Sequence, residues 1–333
     1  MNVRRVTLGE WENSLPATGT EVFHSPEVLR VVDEYATGEL RLYVGYRGEQ
    51  PVGFLPAFVR ELAGVRAVLS PIPGFSLSRM GPIVASNSPK QRKRERVNRT
   101  FTEQLLETLR EGSLLTLVAM VFSTEYVDPR PYLRDGFDVV PRFTYALDLR
   151  ETDAESVLKG FTRDLRSEIR KLEDTDLDVT VGGAADAVRV YDDYCERFAE
   201  QGAEFPTPRA YTREIVAALG DRARVYTAAS PDGSFLGGVS VLYSGETAYF
   251  WQGGMRADYD GLSVNSLLHW RIVEDILTDP ELDSIERYDL GRAAVERLGR
   301  YKSKFNPELV PYYEVRSSKL LWVAKKLYEF VTY

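Results

Sequence analysis

The chain has 333 residues, 44% of them hydrophobic, with 25 Gly and 17 Pro, which is long enough for two ordinary globular cores. A net charge of −8 argues against general coating of nucleic acid, while leaving room for local basic patches. One cysteine, Cys195, excludes an intrachain disulfide framework, and with two histidines, His24 and His269, no metal site is expected.

The N-terminus reads as a strand over residues 3–8, without an apolar signal region, followed by Trp11 and a loop. Ser25-Pro26-Glu27 caps a helix over 26–35, with serine at the cap and proline at the first position; His24 reads as a residue of that cap region. Alternating strands follow over 40–46, 50–60 and 65–70. Residues 70–82, with Pro71, Pro73, Gly74, Gly81 and Pro82, carry loop chemistry. A helix over 89–112 begins very basic, a buried strand spans 114–122, and a strand over 137–148 closes the half. The run 114–122 is the longest strongly apolar stretch and is far too short to span a bilayer. The expected compartment is the cytoplasm.

The second half repeats this order. Helices are expected over 154–174, 184–200 and 207–219, strands over 177–181, 223–229, 235–243 and 247–255, a helix over 262–277, and strands ending at Asp289 and spanning 309–315. Cys195 falls on the apolar stripe of the helix over 184–200 and reads as core. Two halves built as strand, helices, three antiparallel strands, helix, strand, helix, strand predict an α+β architecture and an internal duplication. The expected boundaries are a first domain over 1–150, a second over 151–316 carrying the site, and a C-terminal helix over 317–333 packing back on the first domain.

The stretch 284–315 concentrates the chemistry. A strand stopping on Asp289-Leu290-Gly291 delivers a carboxylate and a turn to the end of a sheet, where α/β proteins bind ligands. Lys302 and Lys304, framed by Tyr301 and Phe305, follow as either a binding cation or two solvated lysines. Asp289 either accepts a proton or orients a group, or caps its own turn. Tyr249 and Trp251 share one strand face and read as core, with Gln252 facing the other way; His269, beside Trp270, reads as a satisfied, partly buried histidine. Arg163, Arg166 and Arg170 share one helix face, and Lys90 to Arg99 form a denser basic run; each is either a solvated face or a site for an anionic substrate. The tail 319–331 alternates an apolar stripe with lysines, which fits docking on the first domain or contact with a membrane surface.

Several fragments in this order resemble the tandem-GNAT Fem-type family, the aminoacyltransferases of peptidoglycan interpeptide bridges and their acyltransferase cousins. The residues are Val52-Gly53-Phe54-Leu55-Pro56 with Ser70-Pro71 and Gly81-Pro82-Ile83, then Thr144 to Leu149 followed by Leu165 to Lys171. Leu236-Gly237-Gly238, Tyr249 to Gly254, and Tyr288-Asp289-Leu290-Gly291 with Tyr301-Lys302-Ser303-Lys304-Phe305 complete the set. The resemblance implies two GNAT-like domains of mixed, mostly antiparallel sheets flanked by helices. It implies a transferase moving an acyl or aminoacyl group from aminoacyl-tRNA or acyl-CoA, with no tightly bound cofactor, onto an amine. The acceptor would be anionic and lipid- or nucleotide-linked, reached at the inner membrane face of the cell envelope.

Attack of an amine on an activated carbonyl needs positioning, a donor to the developing oxyanion and an outlet for the amine proton. The resemblance places Lys302 as the cation with Lys304 as its alternate, and backbone amides near Gly253 and Gly254 as further donors. Tyr301, Gln252, Gly261, Arg166 and Arg170 complete the candidate binding residues, with Asp289 beside Lys302 as the second catalytic candidate. The segment Met255 to Ser263 departs from the usual coenzyme A loop, with Asp258 and Asp260 where a pyrophosphate would be repelled. That favours aminoacyl-tRNA over acyl-CoA; an acyl-CoA N-acyltransferase of an amino sugar and a non-catalytic GNAT-like scaffold are the alternatives.

Overall fold

A computed structural model describes residues 1–16, 20–86, 88–200, 202–253, 257–292 and 296–318. They fall into two compact units: Met1–Pro73 with Leu77–Arg142 and the chain from Pro311, and Gly74–Ser76 with Phe143–Val310. The fold class is α+β, as expected.

The first half runs β1 (Asn2–Val6), α1 (Leu8–Ser14), α2 (Pro26–Tyr35), β2 (Glu39–Arg47), β3 (Gln50–Leu62), β4 (Val65–Ser70), β5 (Ile83–Val84), α3 (Gln91–Arg110), β6 (Leu115–Val121), α4 (Arg130–Arg134) and β7 (Asp138–Asp148). Where a loop is expected around Trp11 there is a helix. Thr7 and Glu10 form a capping box that satisfies the first amides of α1, with Glu10 Oε2 taking the Thr7 amide at 2.8 Å. In the first unit β1 to β4 are antiparallel, β6 is parallel to β4, and Glu314–Arg316 pairs antiparallel with β6. The sheet is closed off from water by Phe101, Leu105, Leu106 and Leu109 of α3. His24 stands just before the Ser25 cap, as expected, and is also buried: its Nε2 lies 2.9 Å from the Gly81 carbonyl, and burial pulls its pKa down to about 4.

The second half runs α5 (Ala154–Gly160), α6 (Arg163–Glu173), β8 (Asp178–Gly182), α7 (Ala184–Glu200), α8 (Arg209–Leu219), β9 (Ala223–Ala229), β10 (Phe235–Ser244), β11 (Thr247–Gly253), β12 (Asp258–Tyr259), β13 (Leu262–Ser263), α9 (Val264–Thr278), β14 (Arg287–Arg292), α10 (Glu296–Lys302) and β15 (Glu308–Arg316). β8 to β11 are antiparallel, β14 is parallel to β11, and Thr144–Asp148 of β7 pairs antiparallel with β14. Strand order thus repeats between the halves, but the last strand of each half completes the sheet of the other. β7 begins in the first unit and ends in the second, and β15 does the reverse.

Two helix expectations are corrected. The helix over 154–174 is two helices, because Phe161 turns inward to pack at 5.9 Å on Trp270 and 5.2 Å on Phe305. Thr162 is extended there, its amide bound to the Lys304 carbonyl at 2.9 Å. The helix over 262–277 starts at Val264, because Leu262 and Ser263 belong to a two-residue hairpin. Asp260 and Gly261 both have positive φ, 49° and 75°, as a type I′ turn requires. Cys195 lies half-buried on α7 instead of in the core. No described helix is long and apolar enough to cross a membrane. The expected helix over 317–333 lies outside the described residues from position 319 on.

Candidate active site

In the second unit β11 and β14 run parallel for three registered pairs, Thr247 with Arg287, Ala248 with Tyr288 and Tyr249 with Asp289, and then their pairing stops. β11 and β14 each carry an extra residue here, Trp251 in the pairing of β11 with β10 and Leu290 in that of β14 with β7. Extra residues of this kind bend and twist a strand. The separating ends carry Phe250 on one side and Gly291 on the other.

α10 ends at this opening and delivers Lys302. Its Nζ donates to the Arg292 carbonyl at 3.2 Å and stands 6.0 Å from the centroid of Phe250. Burial lowers the Lys302 pKa to about 8, against the opposing pull of the Asp289 carboxylate. The amine therefore remains mostly charged at neutral pH. A side chain at Gly291 would meet it: an added Cβ would lie 3.4 Å from Nζ, and the backbone there has φ +85°.

Asp289 is only 2% exposed. Its Oδ1 accepts two hydrogen bonds, from Thr144 Oγ1 at 2.7 Å and from the Gly291 amide at 2.7 Å. The turn-capping reading of Asp289 therefore describes one of its bonds, and its charge acts on Lys302 as well. Behind the cleft His269 packs between Phe250, Tyr301 and Phe305, at 5.4, 6.3 and 5.4 Å. Burial, with a smaller push from Lys302, lowers its pKa to about 3, so it is a neutral imidazole. Tyr301 is part of this wall, its phenol held protonated by burial.

The other candidates are placed elsewhere in the unit. Lys304 is paired with Asp164 at 2.7 Å on the surface, which separates it from Lys302. Arg166 donates to the carbonyls of Lys159 and Phe161 at 2.8 and 2.5 Å, closing the end of α5, and Arg170 is exposed on α6. Gln252 is buried on the face toward α8, its Oε1 accepting from Thr212 at 3.3 Å. Its neighbour Trp251 donates to the Ser76 carbonyl at 3.0 Å, and Tyr211 to that of Phe75 at 2.9 Å, so Gly74–Ser76 is bound into this unit. Gly253, with φ +102°, packs so closely that a Cβ would lie 2.2 Å from the Gly238 carbonyl oxygen. Gly261 is the tip of the hairpin with open space around it, and Gly254 lies outside the described residues. Among the described residues no group of three His, Cys, Asp or Glu could hold a metal ion.

Lys302, Asp289 and Tyr301 are thus brought together, while Lys304, Gln252, Gly261, Arg166 and Arg170 are not in that cluster. Sequence reasoning missed Thr144 and Phe250. A lone threonine among the apolar residues of β7 was the available signal for the first; nothing in the sequence distinguished the second from core.

Residues 159–303 match the family model of the acetyltransferase (GNAT) domain. Among solved structures, one described as FemX shares the fold with a TM-score of 0.68 at 11% identity, covering 94% of this chain and 97% of the other. The C-terminal domain (DUF2156) of a putative lysylphosphatidylglycerol synthetase from Agrobacterium fabrum aligns with a TM-score of 0.51 at 12% identity, over 81% of this chain and 82% of that one. A tandem GNAT protein from the clavulanic acid biosynthesis pathway aligns with a TM-score of 0.50 at 15% identity, over 95% and 97%. No curated protein matches the sequence.

Proposed function

We propose that this chain, whose residues 159–303 match the GNAT acetyltransferase domain and whose fold is that of FemX, is a GNAT-type transferase that moves an activated acyl or aminoacyl group onto an amine at the opening between β11 and β14. The observation that carries this reading is Lys302, a charged amine held half-buried where the two strands part, beside a buried carboxylate and over an aromatic face. In the reaction the acceptor nitrogen attacks the carbonyl carbon, the C–N bond forms, and the carbonyl oxygen gains negative charge. Lys302 would stabilise that oxygen or a donor phosphate. The C–O bond of an ester or the C–S bond of a thioester then breaks, and the leaving oxygen or sulfur takes the proton that the amine gives up.

Asp289, in this reading, keeps Lys302 charged, its Oδ1 held in place by Thr144 and Gly291. The donor we favour is aminoacyl-tRNA. Asp258 and exposed Asp260 stand just before the first turn of α9, where a coenzyme A pyrophosphate would meet two carboxylates. The fold shared with a putative lysylphosphatidylglycerol synthetase supports a lipid-linked acceptor, hence action at the cytoplasmic face of a membrane.

The test is a transfer assay with aminoacyl-tRNA and acyl-CoA donors against lipid-linked, nucleotide-linked and amino-sugar acceptors, across pH. The expected result is transfer from one donor that declines as pH rises through about 8 and is lost in Lys302→Ala. Transfer from acyl-CoA alone would replace the donor assignment. Undiminished transfer by Lys302→Ala would overturn the site, and no transfer with any donor would favour a non-catalytic scaffold.

A further inference from the structure

Thr144 is fully buried in β7 and registers opposite Arg292 of β14. Its hydroxyl and the Gly291 amide converge on one oxygen, Oδ1 of Asp289, both at 2.7 Å. These two bonds bracket the register shift of β14 between Asp289 and Gly291. One carboxylate oxygen thus clips the neighbouring strand to a point two residues further along its own strand. The next carbonyl, that of Arg292, is the acceptor of Lys302 Nζ at 3.2 Å. The place of that acceptor depends on the bulge, and the bulge on the clip.

We propose that Thr144 is a positioning residue for Lys302: its hydroxyl pins the Asp289 carboxylate across the bulge and so fixes the carboxylate and the carbonyl that hold the amine in the cleft. This deepens the proposed function and rests on the reading of Lys302 as a working cation. The titratable groups that act on the amine are Asp289 on β14 and neutral His269 on α9. Among these only Asp289 supplies negative charge. Valine at position 144 keeps the volume and removes the donor, so the carboxylate can turn and the Arg292 carbonyl loses its fixed place. A half-buried ammonium that loses both supports gives up its proton more easily.

The experiment is competitive acylation of the Lys302 amine with acetic anhydride in the full chain over about pH 6 to 10, read peptide by peptide by mass spectrometry. The wild-type midpoint is expected near 8. Thr144→Val is expected to lower it by about one pH unit, and Thr144→Ser to restore it. Where transfer is measurable, the alkaline limb of kcat/KM moves with the midpoint. An unchanged midpoint in folded Thr144→Val overturns the proposal, as does a shift of equal size in Thr144→Ser. Should Thr144→Val fail to melt cooperatively, Thr144→Ala serves in the same comparison. Labelling reads the amine without any substrate. Full transfer activity in Lys302→Ala would therefore defeat the proposed function while leaving the clip to be judged on the midpoints.

Discussion

The Nδ1 of His269 lies 2.8 Å from the Tyr288 hydroxyl, and both side chains are closed off from solvent. With His24, which is likewise buried, this makes both histidines of the chain neutral in the folded state, with pKa values near 3 and 4. The unfolded chain binds protons at both sites below about 6.5, whereas the folded chain does not until near 4 and 3. Stability therefore falls as pH drops from 6.5 toward 4. At pH 5 each histidine is expected to cost about 2 kcal/mol, at about 1.4 kcal/mol per pH unit. Urea titrations at pH 7 and pH 5 check this. His269→Asn should flatten the dependence, and an equally steep one in that variant would refute the assignment.

Lys302 and Lys304 are two residues apart and are expected to behave differently. Removing Lys302 should cost transfer about 100- to 1000-fold, the usual loss for a donor to a developing oxyanion. Lys304→Ala breaks an exposed ion pair with Asp164 and should change stability by less than about 1 kcal/mol and transfer by less than about twofold. Parallel kinetics and thermal melts of the two variants separate the roles; equal losses would mean that the pair acts together.

Gly253 and Gly291 both have positive φ but face different surroundings. At Gly253 an added methyl meets the Gly238 carbonyl oxygen at 2.2 Å, so Gly253→Ala should cost at least about 2 kcal/mol of stability. At Gly291 the nearest atom is the movable Lys302 amine, so Gly291→Ala should cost about 1 kcal/mol of backbone strain and fall mainly on activity. Chemical unfolding and transfer rates of the two variants test the contrast.

The hydroxyl of Tyr211 holds the Phe75 carbonyl at 2.9 Å. Tyr211→Phe keeps the ring, which packs 5.2 Å from Phe75, and removes the hydroxyl that makes this bond. A loss of about 1 kcal/mol is expected, together with faster cleavage near Gly74–Ser76 by a non-specific protease. Cleavage there at the wild-type rate would show that the segment is held by its other contacts.

Local and pairwise features were legible in the sequence. The Ser25 cap, the apolar strands and the repeated element order all follow from patterns within a few residues, and the structure reproduces them. The nearness of Lys302 to Asp289 could be anticipated only through the order of motifs, because the two meet through α10 and the bulge of β14. What stayed hidden depends on partners remote in sequence. Phe161 breaks a good helical pattern because Trp270 and Phe305 offer it more burial than the helix would. Thr144 looks like any strand threonine until the residue facing it, 145 positions later, is known. His269 reads as partly wet until four aromatic neighbours are seen around it.

The crossed closing strands bear on how the protein can be dissected. A fragment cut at the midpoint of the sequence would keep β7 but leave β6 without the strand segment that covers its open side, and the complementary fragment would leave β14 equally bare. Bare strand edges recruit other chains. Separate expression of the two halves is therefore a route to aggregation, while mixing both halves could rebuild each sheet by complementation. The same crossing means that the gene cannot readily be split into two parts with self-sufficient products.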